Sequence, residues 1–193
     1  MPKAEITSKG MLCDPGDHFS GRFEAERKYR VSDLDEFRRL LAEAGAVPFA
    51  LENRETDIFL DTENSLLQMA GRQMVLRHMV PSDRVLWIIK GLRRDECAAV
   101  DMSDFDKARA MFVSLGYRET GTLEKFRDIY FMDTMHITLD RVPELGDFVE
   151  VSAMTDDEAA LERLLRDIDE LATRFGMTSS IREMRSYREL LGA

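Results

Sequence analysis

The chain has few of the residues from which several common functional sites are built. Its two cysteines, Cys13 and Cys97, fit neither a metal-ligand spacing nor a disulfide framework. We expect two free thiols in a reducing cytoplasm. No apolar run reaches the roughly 18 residues of a membrane helix, and the first residues lack the basic-then-apolar pattern of a secretion signal. Three histidines share no metal-binding spacing, and no glycine-rich phosphate loop indicates P-loop or Rossmann chemistry.

Positive charge is also scarce. Lysine and arginine total 27 against 37 acidic residues, for a net charge of −10. A field of that sign disfavours non-specific binding to nucleic acid or to an anionic membrane, so we expect neither as a partner. It still allows a local basic pocket. With 193 residues, 44% of them hydrophobic, the chain can form one sizeable core.

Hydrophobic periodicity predicts an α+β protein with a barrel-like sheet. Residues 1–20 are polar and without periodicity, which predicts a flexible arm ahead of a domain at 21–193. Helices are expected at 33–44, 66–70, 104–115, 156–175 and 181–191. Many strands compatible with antiparallel pairing, with few helices between them, favour this class. The predicted strands are 22–31, 52–61, 73–80, 84–90, 98–102, 118–120, 124–133, 136–141 and 147–152.

The segment Glu24-Ala-Glu26-Arg-Lys28 is the most informative in the chain. On a strand, alternate side chains share a face, so Glu24, Glu26 and Lys28 point the same way. On an outer sheet surface this face would be unremarkable. Lining a cavity, it could hold a divalent cation and a phosphate side by side, because carboxylates bind Mg²⁺ or Mn²⁺ and ammonium groups pair with phosphate oxygens.

Further charged residues fall on predicted strands, and the neighbours of Lys90 and Glu150 are strongly apolar. A surface sheet would also show charges at alternate positions. The apolar surroundings favour a sheet protected on both faces, with helices outside and a polar interior. An interior with both signs of charge suits a metal-bound polyphosphate. Four more charged residues at strand spacing complete this set: Arg77, Lys125, Arg127 and Asp140.

Seven segments, taken in order, resemble the CYTH, or triphosphate tunnel metalloenzyme, superfamily. The resemblance runs from about residue 22 to 191, and its last segment is similar to the class IV adenylate cyclase branch. The segments are Glu24-x-Glu26-x-Lys28, Thr56–Thr62, Leu76-Arg77, Ile89-Lys90-Gly91, Lys125-x-Arg127-x-x-Tyr130, Asp140–Glu150 and Ser186-Tyr187-x-x-Leu-Leu191.

This resemblance implies a closed antiparallel β-barrel, the triphosphate tunnel, with helices packed outside. It implies Mg²⁺ or Mn²⁺ as cofactor and a nucleotide or inorganic triphosphate as substrate. It assigns Glu24, Glu26 and Glu150 as metal ligands. It gives catalytic roles to Lys28, Arg77 and Asp140. The residues expected to clamp the triphosphate are Lys28, Arg77, Lys90, Lys125 and Arg127.

Three functions stay open at this point. The closing segment favours an adenylate cyclase that converts ATP to cyclic AMP and pyrophosphate. The same residues would serve an inorganic tripolyphosphatase or a thiamine triphosphatase. A catalytically weak triphosphate-binding module is the third, because Ser152 and Met79 stand where the family commonly has a glutamate and an arginine. The apolar stripe of helix 156–175 is expected to pack on the sheet, with a homodimer interface as the alternative.

Overall fold

A computed structural model describes residues 20–91 and 95–192. The protein is α+β, as predicted, with nine strands and five α-helices among the described residues. The strands are β1 (Phe23–Val31), β2 (Val47–Thr62), β3 (Gln73–Val80), β4 (Arg84–Lys90), β5 (Cys97–Met102), β6 (Tyr117–Met132), β7 (Met135–Val142), β8 (Gly146–Thr155) and β9 (Arg182–Glu183). The helices are α1 (Leu34–Glu43), α2 (Leu66–Met69), α3 (Phe105–Ser114), α4 (Leu161–Arg174) and α5 (Tyr187–Leu191).

One antiparallel sheet contains all nine strands, in the order β5-β4-β3-β2-β6-β7-β8-β1-β9. The strands β2 and β6 are 16 residues each and form the longest ladder. Two separate strands were predicted at 118–120 and 124–133, but β6 is continuous through Gly121 and Leu123, which pair with Phe59 and Asp57 of β2. The partner strand therefore holds this region extended despite its glycine.

The predicted closed barrel is not confirmed. The order of the sheet ends at β5 and β9, and no ladder of described residues joins these two strands. The start of β1 meets the start of β5 through one isolated bridge, between Phe23 and Glu96. Two backbone hydrogen bonds flank it, from Glu24 N to Asp95 O at 2.8 Å and from Cys97 N to Arg22 O at 3.1 Å. Within residues 20–91 and 95–192, the sheet thus curls until its ends touch at this one place, and it stays open elsewhere.

The outer face of β1 is held by α4. Phe23, Ala25 and Tyr29 are buried there, as the alternation of β1 predicts. They belong to the same apolar cluster as Ile168 and Leu171 of α4. The amphipathic helix predicted at 156–175 therefore packs on the sheet, although its α-helical part begins only at Leu161. A short 3₁₀ turn, Glu158–Ala160, precedes it.

A second outer cluster lies beneath α3, where Ala108 and Phe112 pack on outward-facing positions of β2, β3 and β4. The side chain of Asp104 caps α3 by accepting a hydrogen bond from Lys107 N, and Asp33 caps α1 in the same way. Both outer layers leave the opposite face of the sheet free to point inward.

The inner face is apolar at one end. Phe59, Val75 and Ile88 pack there with Tyr187 of α5, and we call this apolar end of the inner face the floor. The last helix is shorter than the predicted 181–191, because residues 182–183 pair with β1 as strand β9. Ser186 then starts α5 with a capping box that includes Glu189. The C-terminal helix thereby closes the floor of the curled sheet.

The flexible arm predicted at residues 1–20 lies outside the described residues, apart from Ser20, and stays a prediction. The homodimer, the alternative role of the helix predicted at 156–175, also stays a prediction. No helix within residues 20–91 or 95–192 has the length and apolar character needed to cross a bilayer.

We expect Leu171→Ala to lower the free energy of unfolding by about 2–5 kcal/mol, because it empties a packed position between α4 and β1. Urea unfolding followed by circular dichroism measures this. The matched control is Leu115→Ala, at a leucine that is 71% exposed, and it should change stability by less than about 0.5 kcal/mol. Equal effects of the two substitutions would contradict the packing of α4 on β1.

Candidate functional site

The inner face of the sheet encloses a cavity of about 1270 Å³ above the apolar floor. All of the predicted site residues line it except Asp140, which is fully buried directly behind the wall. Two acidic residues not included in the predicted site, Glu55 and Asp57, also line it. We call these residues together the inner charge group: Glu24, Glu26, Lys28, Glu55, Asp57, Arg77, Lys90, Lys125, Arg127, Asp140 and Glu150.

Arg127 is the centre of one cluster of ion pairs. Its Nε donates to Asp140 Oδ1 at 2.6 Å, and its Nη2 donates to Asp140 Oδ2 and, at 2.5 Å, to Glu150 Oε2. Lys28 Nζ lies 3.3 Å from the other oxygen of Glu150. Burial opposes ionisation of Glu150, but the charges of Arg127 and Lys28 outweigh it and hold the pKa of this carboxyl far below its usual range. Asp140 therefore positions Arg127 and does not face the cavity.

A second cluster joins β2, β3 and β6. Arg77 makes two hydrogen bonds to Asp57, from Nε at 2.6 Å and from Nη2 at 2.8 Å. Lys125 Nζ lies 2.9 Å from Glu55 Oε2 and 3.5 Å from Asp57 Oδ2. Lys125 and Glu55 are almost completely buried. Burial opposes ionisation of Asp57, but Arg77 and Lys125 outweigh it and strongly lower the pKa of that carboxyl.

Glu55 and Asp57 were missing from the predicted site, although a signal for them exists in the sequence. They lie two residues apart inside the strand predicted at 52–61, so they share one face. Their register partners are Lys125 for Glu55 and Arg77 for Asp57. Opposite charges directly across an antiparallel pair stabilise each other, but that pairing is visible only once the strand order is known.

The third cluster lies nearer solvent. Lys90 Nζ is 2.7 Å from Glu24 Oε2 and 3.8 Å from Glu26 Oε2. Burial raises the pKa of Glu24, but the charge and hydrogen bond of Lys90 reverse this and lower it. For Glu26 the balance is different. Burial and the negative charge of Glu150 dominate, and they raise the pKa of Glu26 to about 7.

The three predicted metal ligands do not converge on one point. Within residues 20–91 and 95–192, no three acidic, histidine or cysteine side chains are arranged to hold a metal ion. Their chemistry nevertheless fits a hard divalent cation, because Glu24, Glu26 and Glu150 all present carboxylate oxygens to the cavity. The negative charges of Glu24 and Glu150 both raise the pKa of Glu26. A cation at this end of the cavity would relieve that repulsion.

Tyr187 connects the C-terminal helix to the charge clusters. Its Oη donates to Asp140 Oδ2 at 2.7 Å, and Lys28 Nζ lies 3.9 Å from the centre of its ring. Burial and the carboxylates of Glu150 and Asp140 raise the pKa of Tyr187 strongly, so it is a neutral donor. The sequence pointed to Tyr187 only as part of a motif, because its return to the cavity depends on how α5 packs.

The two positions that differ from the family pattern both lie in the site. Ser152 and Met79 line the cavity. Ser152 is paired with Glu26 of β1 on one side and with His136 of β7 on the other, and its Oγ lies 3.0 Å from His136 Nδ1. Met79 is paired with Glu55. One carboxylate and one guanidinium are thus replaced by neutral side chains within the cavity wall.

We predict a pH dependence of stability from Glu26. Its pKa is about 7 in the folded protein against 4.5 normally, so between these values the folded state holds a proton that the unfolded chain has lost. The free energy of unfolding therefore falls as pH rises through this window. Urea unfolding at several pH values measures this for the wild-type protein and for Glu26→Gln. The difference in the free energy of unfolding between the two proteins should change as pH passes through the window and should be constant with pH on either side of it. Parallel profiles throughout would contradict the assignment.

Comparisons with known proteins point to one family. The CYTH domain matches residues 22–187. Adenylate cyclase CyaB of Aeromonas hydrophila is 44% identical over 173 residues, which cover 90% of this chain and 91% of that protein. The X-ray structure of a proposed adenylate cyclase from Vibrio parahaemolyticus is 38% identical, with a TM-score of 0.87, and the match covers 90% of this chain and 100% of that one.

A more distant structure shares the fold alone. It is a proposed adenylyl cyclase from Hippeastrum with a dominant triphosphatase activity, 14% identical, with a TM-score of 0.52. The match covers 84% of this chain and 91% of that chain. The resemblance that the seven sequence segments indicate is confirmed: this chain belongs to the CYTH domain family.

Proposed function

We propose that this protein is a metal-dependent enzyme acting on triphosphates, and that its reaction is the conversion of ATP to cyclic AMP and pyrophosphate. The observation that carries the proposal is the convergence of five cationic side chains, from four strands, on one cavity that also presents carboxylates. The 44% identity to the Aeromonas hydrophila adenylate cyclase supports the cyclase in particular. The five cations are Lys28, Arg77, Lys90, Lys125 and Arg127.

In this proposal the cations bind the triphosphate. Arg77 and Arg127 present planar groups suited to bidentate contacts with phosphate oxygens, and the lysines add point charges. When the ribose 3′-oxygen bonds to the α-phosphorus and the bond to the β-phosphate breaks, negative charge develops on the leaving pyrophosphate. Fixed cations in a cavity shielded from water stabilise that charge.

Glu24, Glu26 and Glu150 would hold Mg²⁺ or Mn²⁺ in the same proposal. A bound cation would neutralise phosphate oxygens and orient the chain of phosphates. The balance of charges supports a requirement for such a cation. The inner charge group contains six carboxyl groups and five cations, so it has no excess of positive charge to offer to a polyanion. Neutralising Glu24, Glu26 and Glu150 would free Lys28 and Lys90 for the substrate and would leave Arg127 paired only with Asp140.

Two other functions have specific support. The charged side chains of the inner charge group would bind the phosphates and no other part of a substrate. Such a site equally suits a tripolyphosphatase or a thiamine triphosphatase. The Hippeastrum protein of the same fold has such a dominant triphosphatase activity. A binding module with weak catalysis is supported by Ser152 and Met79, because both neutral side chains lie in the cavity wall itself.

Product analysis distinguishes the three. The protein is incubated with ATP or with tripolyphosphate, each with Mg²⁺ and with Mn²⁺, and the products are separated by chromatography. We expect cyclic AMP and pyrophosphate in equal amounts from ATP. Orthophosphate without cyclic product would identify a triphosphatase. Metal-dependent binding without turnover would identify a binding module and overturn the proposed enzyme.

Arg127→Lys is the sharpest variant for the same assay. It keeps the charge beside Asp140 and Glu150 but loses the two-pronged geometry. We expect kcat/KM to fall about 10- to 100-fold, the equivalent of one charge-assisted hydrogen bond of about 1.5–3 kcal/mol. Arg39→Lys is the matched control, since Arg39 pairs with Glu36 on the exposed face of α1, and it should leave kcat/KM unchanged.

A further inference from the structure

Phe49 is an exposed aromatic side chain that belongs to the cavity. It lines the same cavity as the inner charge group, and it is 44% exposed. In the proposed function the inner charge group would contact only the phosphates, which leaves open what holds the rest of a larger substrate. A flat apolar ring at the edge of a charged cavity is the kind of surface on which a nucleobase stacks.

The backbone around Phe49 is irregular and firmly held. Near Phe49, strand β2 shifts its register against β6 at two places, between Pro48 and Ala50 and again between Ala50 and Asn53. Glu52 has a φ of 53°, and its N–H donates to Asp128 Oδ1 at 2.7 Å. Bulges of this kind redirect side chains and are frequent beside active sites. They set the position of Phe49 independently of the regular strand that carries Glu55 and Asp57.

Ring contacts place Phe49 beside the carboxylate end of the cavity. Its ring centre lies 4.8 Å from that of Phe131, and Phe131 meets His136 edge-on at 6.3 Å. His136 lines the cavity in the same row of the sheet as Ser152 and Glu26. Two successive ring contacts therefore connect Phe49, through Phe131 and His136, to the row of the sheet that contains Glu26.

We propose that Phe49 stacks on the base of a nucleoside triphosphate whose phosphates occupy the inner charge group. This inference rests on the proposed function and adds a determinant of substrate choice: the protein distinguishes nucleoside triphosphates from inorganic ones through this ring. Stacking is tolerant of base identity, because every base has a π-face. Phe49 accordingly selects for a nucleobase and not for adenine in particular.

A purely structural role for Phe49 makes a different prediction. If Phe49 only shields Phe131 from water, Phe49→Leu would not distinguish the two kinds of ligand: the affinities for a nucleotide and for a triphosphate without a nucleoside would both stay the same or would weaken equally. Phe126 offers the matched control. It is 46% exposed, on the neighbouring strand β6, and is not among the residues that line the cavity.

The test compares two ligands that differ only in the nucleoside. Calorimetry with Mn²⁺ measures the dissociation constants of α,β-methylene-ATP and of the corresponding methylene-bridged triphosphate without a nucleoside. For Phe49→Leu we expect the first constant to rise about 5-fold or more and the second to stay the same. Phe49→Tyr should restore nucleotide affinity, and Phe126→Leu should change neither constant.

Each other outcome overturns the inference. Equal weakening of both ligands by Phe49→Leu would make Phe49 a structural residue. Unchanged nucleotide affinity in that variant, while the wild-type protein binds both ligands, would show that the base lies elsewhere and would leave the proposed function intact. A wild-type protein that binds neither ligand would overturn the proposed function and this inference with it.

Discussion

The structure depends on burying many charges inside one sheet. Burying a charged group without a partner costs so much free energy that the group would become neutral or the structure around it would unfold. Here every carboxyl of the inner charge group except Glu26 lies within 3.5 Å of a cation on another strand. The sheet must keep its register for these pairs to form, because a slip of one residue would turn each side chain to the opposite face. Charge pairing and strand order therefore specify each other.

The apolar layers follow from the same constraint. Helices α3 and α4 cover the outer face, so the charged inner face is the one left for the cavity. The floor formed with α5 closes one end and brings Tyr187 to Asp140 and Lys28. In the proposed function, the cations of the cavity exchange their carboxylate partners for phosphates, and the carboxylates bind the metal. Paired cations are already positioned, so little reorganisation is needed when phosphates replace carboxylates.

Much of this arrangement could be predicted from the sequence. Alternation along β1 placed Glu24, Glu26 and Lys28 on one shared face, and the motifs identified the family and eight of the residues that line the cavity. What the sequence could not supply depends on long-range pairing. Glu55 joins the inner charge group because β6 brings Lys125 opposite it, and Phe49 lines the cavity beside two shifts in the register of β2. The sequence implied a closed barrel that the structure does not confirm, because closure depends on how far the whole sheet curls and not on the pattern of any one strand.

The central claim is that the carboxylates of the cavity must be neutralised before its cations can bind a polyphosphate. The most direct measurement is the calorimetric affinity for tripolyphosphate with Mn²⁺ present and with EDTA present, at one ionic strength. The account predicts tight binding with Mn²⁺ and weak or undetectable binding with EDTA. Equal affinity under the two conditions would contradict it, because the internal ion pairs would then yield to phosphate without help from a metal.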